Sequence, residues 1–419
     1  MRILIFTFSL FLVTSTLVAQ NAPLDAEASD PNIMGWMLGF RPADNKIVSG
    51  NDGSFFQFPA MRYSVCHMRQ FMTTTNVPSA QKNRYEFKLN LDDAIDALTF
   101  TPWHTEEKMT WETSLGKNYT DGIIILHKGE IVYEKYFGAL KPDGIHAVMS
   151  VSKTLTGTLG ALLVDEGVLD ENKTAGYYVP ELKKSAFGDA TIREILDMTT
   201  ALQYSEDYSN PKAEVYTFSN AKYYYDYLET VTKNGVHGEV FSYKTINTDA
   251  MGWIASRTTG KSIPELLSTR IWKPLGTHFD GYYSIDDAAI AFAGGGFNAN
   301  LRDLAMFGEM IRNDGYFNNQ QVLPKSVIDN IKEGGSQQAF EEAGYKDLKN
   351  WSYRNMWWIT HNEHGAFAAR GVYGQTIYID PKAEMVLVRL ASHPEAKNAK
   401  IDPTSLPAYH AVAKYLLSK

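Results

Sequence analysis

The stretch Met149-Ser150-Val151-Ser152-Lys153 opens a long apolar run, and the interpretation of this 419-residue chain starts there. Ser150 and Lys153 are three residues apart, so a helix would place both side chains on one face, close enough to share a proton. A serine hydroxyl becomes a useful nucleophile only when a neighbouring base removes its proton. Lysine can be that base where burial or a nearby cation disfavours its ammonium form. The first hypothesis is therefore a serine nucleophile that works without histidine.

The Ser-x-x-Lys pattern occurs five times in this chain and is weak evidence by itself, so the surrounding sequence has to distinguish a catalytic copy from chance copies. Only the copy at Ser150 opens a long apolar pattern at helical spacing, which Gly167 is expected to end. The positive end of that helix would favour a developing alkoxide. The alternative interpretation makes Ser150 a helix cap and Lys153 a solvated residue of the first turn. The five copies begin at Ser79, Ser114, Ser150, Ser209 and Ser219, of which the last is interpreted as a helix N-cap.

A tyrosine can complete the site. Tyr243 lies in Phe241-Ser242-Tyr243, just before a predicted helix that starts at Asn247. A phenol, with an ordinary pKa of about 10, can relay a proton if it is held beside the lysine. The chain contains 24 tyrosines, so simple packing is the alternative. A Ser-His-Asp site is not indicated, because the sequence has no Gly-x-Ser-x-Gly motif.

Composition limits the classes of function. The chain has a net charge of −8 and no basic run, which argues against nucleic-acid binding. Residues 1–20 begin with a positive charge and continue as an apolar run, which predicts a secretion signal, and no later run is long enough to cross a bilayer. With a single cysteine no intrachain disulfide can form, so we expect an exported protein of a bacterial periplasm. Nothing in the sequence indicates the oligomeric state.

Cysteine and metal chemistry are not predicted. Cys66 and His67 are neighbours in a predicted strand and would point to opposite faces, so Cys66 is interpreted as a buried structural residue. His361 and His364 are three residues apart and do not match the His-Glu-x-x-His zinc pattern. The sequence therefore predicts no metal site and no cofactor.

Strand patterns lie on both sides of a helical middle. Hairpins are predicted at residues 123–134 and 375–390, and a closing helix at 403–417. The expected fold is of the α/β (α+β) class, an antiparallel sheet flanked by helices with an inserted all-helical domain. The predicted division is a wrapping segment at 21–115, an α/β domain built from 116–164 and 291–419, and a helical domain at 165–290.

Several segments of the chain also resemble those of a known protein family. The segment His146–Thr154 resembles the nucleophile region of the serine β-lactamase-like hydrolases, whose class C β-lactamase, DD-peptidase and esterase branches share one fold. Phe241-Ser242-Tyr243, residues 294–298 and residues 301–308 follow in the order of that family. Residues 58–64, 185–191, 356–358 and 369–375 most resemble the 6-aminohexanoate-dimer hydrolase branch, the nylon-oligomer hydrolases. The resemblance covers roughly residues 50–415 and implies a β-lactamase/transpeptidase-like fold.

The resemblance also implies roles for individual residues. Ser150 would be the nucleophile, Lys153 its proton partner and Tyr243 the general base and acid. The third family motif falls on Ala369-Arg370-Gly371, without its usual Lys or His. The oxyanion hole would be the backbone N–H groups of Ser150 and Val372, whereas a rival register uses Gln375 as the second donor.

The expected function is hydrolysis of small amides or esters through an acyl-enzyme on Ser150. Thr245 stands where many relatives have an asparagine that contacts the antibiotic, which puts efficient β-lactam hydrolysis in doubt. The alternatives are a DD-peptidase or β-lactamase acting on cell-wall-like substrates, and a non-catalytic ligand-binding sensor of the same fold. The candidate substrate contacts, with core packing as the other interpretation of the aromatic ones, are Gly371, Tyr204, Tyr208, Trp357, Trp358 and Tyr373.

Overall fold

The computed structural model describes residues 22–208 and 210–419, so the predicted secretion signal lies outside the described residues and stays a prediction. The first elements are α1 (Pro31–Met34), α2 (Met61–Ser64), β1 (Thr74–Val77), β2 (Thr99–Phe100), β3 (Met109–Thr110), α3 (Trp111–Lys117), β4 (Thr120–His127), β5 (Glu130–Tyr136), β6 (His146–Ala147) and α4 (Val151–Asp165). The middle contains α5 (Ala175–Tyr178), α6 (Ile192–Leu196), α7 (Glu214–Ser219), α8 (Tyr224–Thr230), α9 (Ile246–Thr259), α10 (Ile263–Leu267) and α11 (Lys273–Leu275). The remaining elements are β7 (Gly281–Ser284), β8 (Phe297–Ala299), α12 (Leu301–Arg312), β9 (Tyr316–Phe317), β10 (Gln320–Gln321), α13 (Lys325–Glu333), α14 (Gln337–Glu342), β11 (Ser352–Arg354), β12 (Trp357–Ile359), β13 (Phe367–Arg370), β14 (Thr376–Asp380), β15 (Met385–Ala391) and α15 (Asp402–Leu416).

The main sheet has seven antiparallel strands in the order β11-β12-β13-β14-β15-β4-β5. Both predicted hairpins are confirmed, as β4–β5 and β14–β15, and the predicted closing helix is confirmed as α15. Strand β15 pairs with β4 and so joins segments about 260 residues apart. Helix α12 packs on this sheet through Gly308, where a Cβ atom would come within 2.6 Å of Val386 Cγ1.

Helix α4 is the centre of the molecule, and the prediction of a long apolar helix after Ser150 is confirmed. Every residue from Val151 to Leu163 is buried, so this helix has no solvent face. It contacts α6, α9 and α10 and also strand β13. Close approach depends on its glycines, since a Cβ at Gly157 would lie 2.3 Å from the carbonyl oxygen of Asn355. The N-terminus of α4 is therefore held between the sheet and the helices of the middle segment.

A second sheet, in the order β1-β7-β8-β6, lies beside the start of α4. Its strand β6 ends three residues before Ser150, and β8 pairs with it through Ala147 and Asn298. Strand β1 comes from the predicted wrapping segment and pairs with β7. Segments from three parts of the chain therefore meet just before Ser150.

Two local predictions are wrong. Residues 63–67 are not a strand, because Val65 N–H donates to the Met61 carbonyl at 3.0 Å and the segment turns as α2. Cys66 is half-buried after that helix, and the His67 ring stacks on Tyr63. Ser219 is not an N-cap but the last residue of α7. The first turn of α8 instead receives a distant acceptor, the Asp286 carboxylate at 2.8 Å from Tyr224 N.

Among the described residues, no helix is long and apolar enough to cross a membrane.

Candidate active site

Ser150 lies at the mouth of a sharp turn between β6 and α4. Its neighbour Met149 has φ +47°, a left-handed conformation that a non-glycine residue rarely adopts. Ser152 holds this turn, because its hydroxyl donates to the Met149 carbonyl at 2.6 Å and accepts from Phe297 N–H at 3.0 Å. The Ser150 side chain makes no capping bond to α4, so the cap interpretation is not supported. The Ser150 hydroxyl is therefore not used by the helix and is available to neighbouring side chains.

Lys153 is buried against Ser150. Its Nζ donates to Ser150 Oγ at 2.9 Å and to the Gly294 carbonyl at 2.5 Å. Burial lowers the pKa of Lys153 to about 8, although nearby carboxylates act in the opposite direction. The alternative of a solvated Lys153 is therefore wrong, since only 1% of this residue is exposed.

Tyr243 lies on the other side of the lysine. Lys153 Nζ is 5.2 Å from the centroid of the Tyr243 ring, and the Ser150 hydroxyl is near enough to the Tyr243 phenol to lower its pKa, against the larger effect of burial. The ring packs on Trp358, with centroids 5.4 Å apart. Burial raises the pKa of the Tyr243 phenol above its ordinary value, so this group is neutral near pH 7. The structure therefore brings Ser150, Lys153 and Tyr243 together.

The segment after β13 forms the wall opposite Ser150. A Cβ atom at Gly371 would lie 3.0 Å from Ser150 N and 2.9 Å from the Val148 carbonyl oxygen. Gly371 N–H donates to the Gln375 carbonyl at 2.9 Å, and Tyr373 N–H donates to the Ala396 carbonyl at 3.1 Å. In the chain, the Val372 N–H lies between these two N–H groups, both of which already donate to backbone carbonyls.

The rival alignment, in which the backbone N–H of Gln375 is the second oxyanion donor, does not fit the structure. Gln375 is fully buried, and its side-chain amide is bonded to both backbone groups of Ala391, at 2.5 and 3.0 Å. Val372 lines the cavity that contains Ser150, whereas Gln375 does not line it. The geometry therefore favours Val372 as the second oxyanion donor.

Two carboxylates near Lys153, the buried Asp249 and the half-buried Glu206, were missed by the sequence reasoning. Burial raises the pKa of Asp249 to about 7, and the charge of Lys153 opposes this rise. Asp249 Oδ1 accepts from Gly294 N–H at 3.3 Å, while its Oδ2 has no partner among the described residues. Glu206 accepts from Thr245 N–H, and burial likewise raises its pKa. A lone acid on a helix or in a loop has no spacing signal that would have revealed either residue.

Two cavities flank Ser150, Lys153 and Tyr243. The serine cavity, about 470 Å³, is lined by Ser150 and Lys153 and by apolar side chains that include Phe55, Met72 and Phe292. The outer cavity, about 480 Å³, is lined by Glu206, Tyr243, Trp358, Arg370 and Gly371. Tyr208 and Val372 line both cavities, and Tyr373 lines the serine cavity.

Two of the predicted substrate contacts lie elsewhere. Tyr204 is 5% exposed, lines neither of the two cavities, and packs with its ring near Tyr227. Trp357 is fully buried, with its indole N–H bonded to Thr158. For these two residues core packing is the correct interpretation.

Comparison with known proteins agrees with this geometry. A family model described as beta-lactamase matches residues 119–408. The chain belongs to the beta-lactamase family. It is 34% identical over 296 residues to the 6-aminohexanoate-dimer hydrolase of Paenarthrobacter ureafaciens, covering 68% of this chain and 75% of that protein.

Solved structures extend the comparison. A candidate 6-aminohexanoate-dimer hydrolase from Bacillus anthracis superposes with a TM-score of 0.80 at 32% identity, covering 90% of this chain and 99% of that one. A family VIII carboxylesterase superposes with a TM-score of 0.54 at 16% identity, covering 72% and 95%, which shows a shared fold. The predicted fold and the predicted family resemblance are thus confirmed.

Two positions of this beta-lactamase-family protein differ from the antibiotic-contacting residues that the resemblance implies for β-lactamases. Arg370 is ion-paired with Asp402 and lies 4.9 Å from the Trp358 ring, so its charge is already engaged. Asn247, which is close to the Thr245 position, is fully buried and accepts from the Thr200 hydroxyl at 2.7 Å. It therefore cannot replace the missing asparagine without repacking.

Proposed function

We propose that this protein is an exported serine hydrolase that cleaves amide or ester bonds of small substrates through an acyl-enzyme on Ser150. The observation that carries the proposal is the 2.9 Å contact between Lys153 Nζ and Ser150 Oγ. Because burial lowers the pKa of this lysine to about 8, a useful fraction of it is neutral near pH 7–8.

The raised pKa of Tyr243 decides how the roles are divided. A phenolate is strongly disfavoured there, so neutral Lys153 is the better acceptor of the Ser150 proton, directly or through the phenol. Ser150 Oγ then bonds to the substrate carbonyl carbon, and the N–H groups of Ser150 and Val372 stabilise the oxyanion. As the bond to the leaving group breaks, Tyr243 donates its proton and is reprotonated by Lys153. Water repeats the sequence and releases the acid.

The two cavities support a substrate that extends on both sides of the scissile bond. The serine cavity is mostly apolar, whereas the outer cavity has charged residues at its edge, among them Glu206 and Lys346. A short amide with one apolar and one polar end fits this pair. The 6-aminohexanoate dimer named for the relatives is a short amide whose two aliphatic segments match the apolar lining, although it carries a charged group at each end.

A covalent probe and one variant test the proposal. A fluorophosphonate should add to Ser150 of the purified protein, as shown by intact mass, and Ser150→Ala should abolish both the adduct and the turnover of p-nitrophenyl esters. Ser152→Ala is unsuitable as a control because Ser152 holds the Met149 turn, so Ser326→Ala, at an exposed serine of helix α13, serves instead. An unmodified Ser150 would instead favour a ligand-binding sensor.

Substrate class is tested on a panel. Aminohexanoate dimer and p-nitrophenyl esters should be hydrolysed, and a chromogenic cephalosporin should be hydrolysed poorly because Arg370 is held by Asp402. Efficient hydrolysis of the cephalosporin would overturn this assignment in favour of a β-lactamase. Export is tested separately, by the N-terminal sequence of the protein recovered from the periplasm of its native host.

A further inference from the structure

A second group of chemically active side chains lies where the turn between β12 and β13 meets helix α15. It consists of Glu363 and His364 from the turn and His410 from the helix, with one donor atom of each within 4.8 Å of the others. His410 Nε2 is 3.4 Å from Glu363 Oε1, and the two imidazole rings are 4.9 Å apart. Glu363 and His410 line a separate cavity of about 470 Å³ that shares no lining residue with the serine cavity.

A buried carboxylate orients one of these imidazoles. His364 Nδ1 is 2.7 Å from Asp380 Oδ2, and Asp380 is fully buried. The other oxygen of Asp380 accepts from Ala383 N–H at 2.9 Å, so the carboxylate itself is fixed. A carboxylate on Nδ1 places the proton there and leaves the lone pair on Nε2, the usual arrangement of a metal-binding histidine.

We propose that Glu363, His364 and His410 bind a divalent transition-metal ion of the zinc class, with a fourth position open to solvent. Two imidazoles and one carboxylate are a common ligand set for Zn²⁺. Donors that are about 2.0–2.1 Å from one tetrahedral ion are about 3.4 Å from each other, so the present 4.8 Å spread must contract. The side chains of Glu363 and His410 are 63% and 28% exposed and have room to turn inward.

The bound ion would connect the sheet to the last helix. Strand β13 begins three residues after His364 and leads to Gly371, while Asp402 near the start of α15 is paired with Arg370. The metal would therefore stabilise the fold without taking part in the reaction at Ser150. Sequence spacing did not reveal it, because His410 lies 46 residues after His364.

Zinc titration of the untagged full chain tests the proposal. Calorimetry should show one saturable Zn²⁺ site per chain, and Zn²⁺ should raise the melting temperature. Glu363→Gln and His410→Ala change partly exposed side chains and should each weaken binding at least about tenfold, and Asp380→Asn should weaken it about 10–100-fold. His361→Ala, three residues from His364 and outside the cluster, is the matched control and should bind as the parent does.

The charge of Lys414 provides a test of opposite sign. Lys414 follows His410 by one helical turn and lines the same cavity, so its ammonium opposes a bound cation. Lys414→Ala should therefore tighten Zn²⁺ binding. The proposal is overturned if no saturable binding is seen at 1:1 stoichiometry, or if the Glu363 and His410 variants bind as tightly as His361→Ala. Because the readouts are binding and melting temperature, failure here leaves the serine mechanism untouched.

Discussion

Adding one methyl group at Gly371 should disable the oxyanion hole while leaving the fold intact. The residue has φ −131° and ψ 156°, an extended conformation that alanine adopts without strain. The new Cβ, however, would lie 2.9 Å from the Val148 carbonyl oxygen and 3.0 Å from Ser150 N. Both neighbours are backbone atoms, so neither can rotate away.

The expected loss follows from that geometry. The closer contact is about 0.5 Å short of the ordinary limit of 3.4 Å, so the strand edge that carries Val372 must move away from Ser150 by about that distance. Removing one oxyanion donor typically costs about 10²–10³ in kcat. A half-ångström displacement should approach the lower end of that range, about 10²-fold or about 2.7 kcal/mol in activation free energy.

The assay is steady-state hydrolysis of a p-nitrophenyl ester by Gly371→Ala, together with its melting temperature. The matched control is Gly116→Ala, because a Cβ at Gly116 meets no atom within 4 Å and alanine favours the helix there. The control should keep full activity. A folded Gly371→Ala protein with kcat within threefold of the parent would show that this segment is not the oxyanion wall.

Three further outcomes are expected. kcat/KM should rise with pH around the Lys153 pKa of about 8. In Asp249→Asn this rise should occur at lower pH, because the variant lacks a carboxylate that favours the ammonium form of Lys153. A pH profile unchanged by the substitution would contradict the electrostatic coupling of Asp249 to Lys153. Tyr243→Phe keeps the ring but loses the proton relay, so kcat should fall about a hundredfold with an unchanged melting temperature; activity near the parent value would make the tyrosine a packing residue. Gly308→Ala should lower the free energy of unfolding by about 1–3 kcal/mol in a urea titration, since its Cβ would lie 2.6 Å from Val386 Cγ1; a more stable variant would mean that the helix shifts freely on the sheet.

The parts of the fold that could be predicted are those in which local pattern and burial agree. The β4–β5 and β14–β15 hairpins alternate apolar strands with a short polar turn, and helix α4 repeats apolar residues at helical spacing. The pair Ser150 and Lys153 could be found for the same reason, because three residues along a helix fix their proximity. Tyr243 needed the family resemblance, since its place beside Lys153 is a tertiary contact.

The residues that could not be predicted are brought to the site by tertiary packing alone. Asp249 lies on the buried face of α9, and Glu206 approaches Lys153 from a loop. The Gly294 carbonyl, which accepts from Lys153, belongs to a run of three glycines, and such a run does not indicate which of its carbonyls a distant lysine will contact. For Tyr204 the error was the opposite one, since the sequence predicted a substrate contact and the side chain packs in the core.

The two acids that the sequence did not reveal affect the role proposed for Lys153. Burial alone would make Lys153 neutral and available as a base, but a permanently neutral amine could not return a proton when the leaving group departs. Asp249 and Glu206 favour the ammonium and so hold the pKa near 8 instead of letting it fall further. At that value both protonation states are accessible at neutral pH, which a base that becomes an acid within one turnover requires. Oδ2 of Asp249 has no hydrogen-bond partner in the part of the chain that the structure describes, which agrees with this balance, since a direct ion pair would hold Lys153 charged.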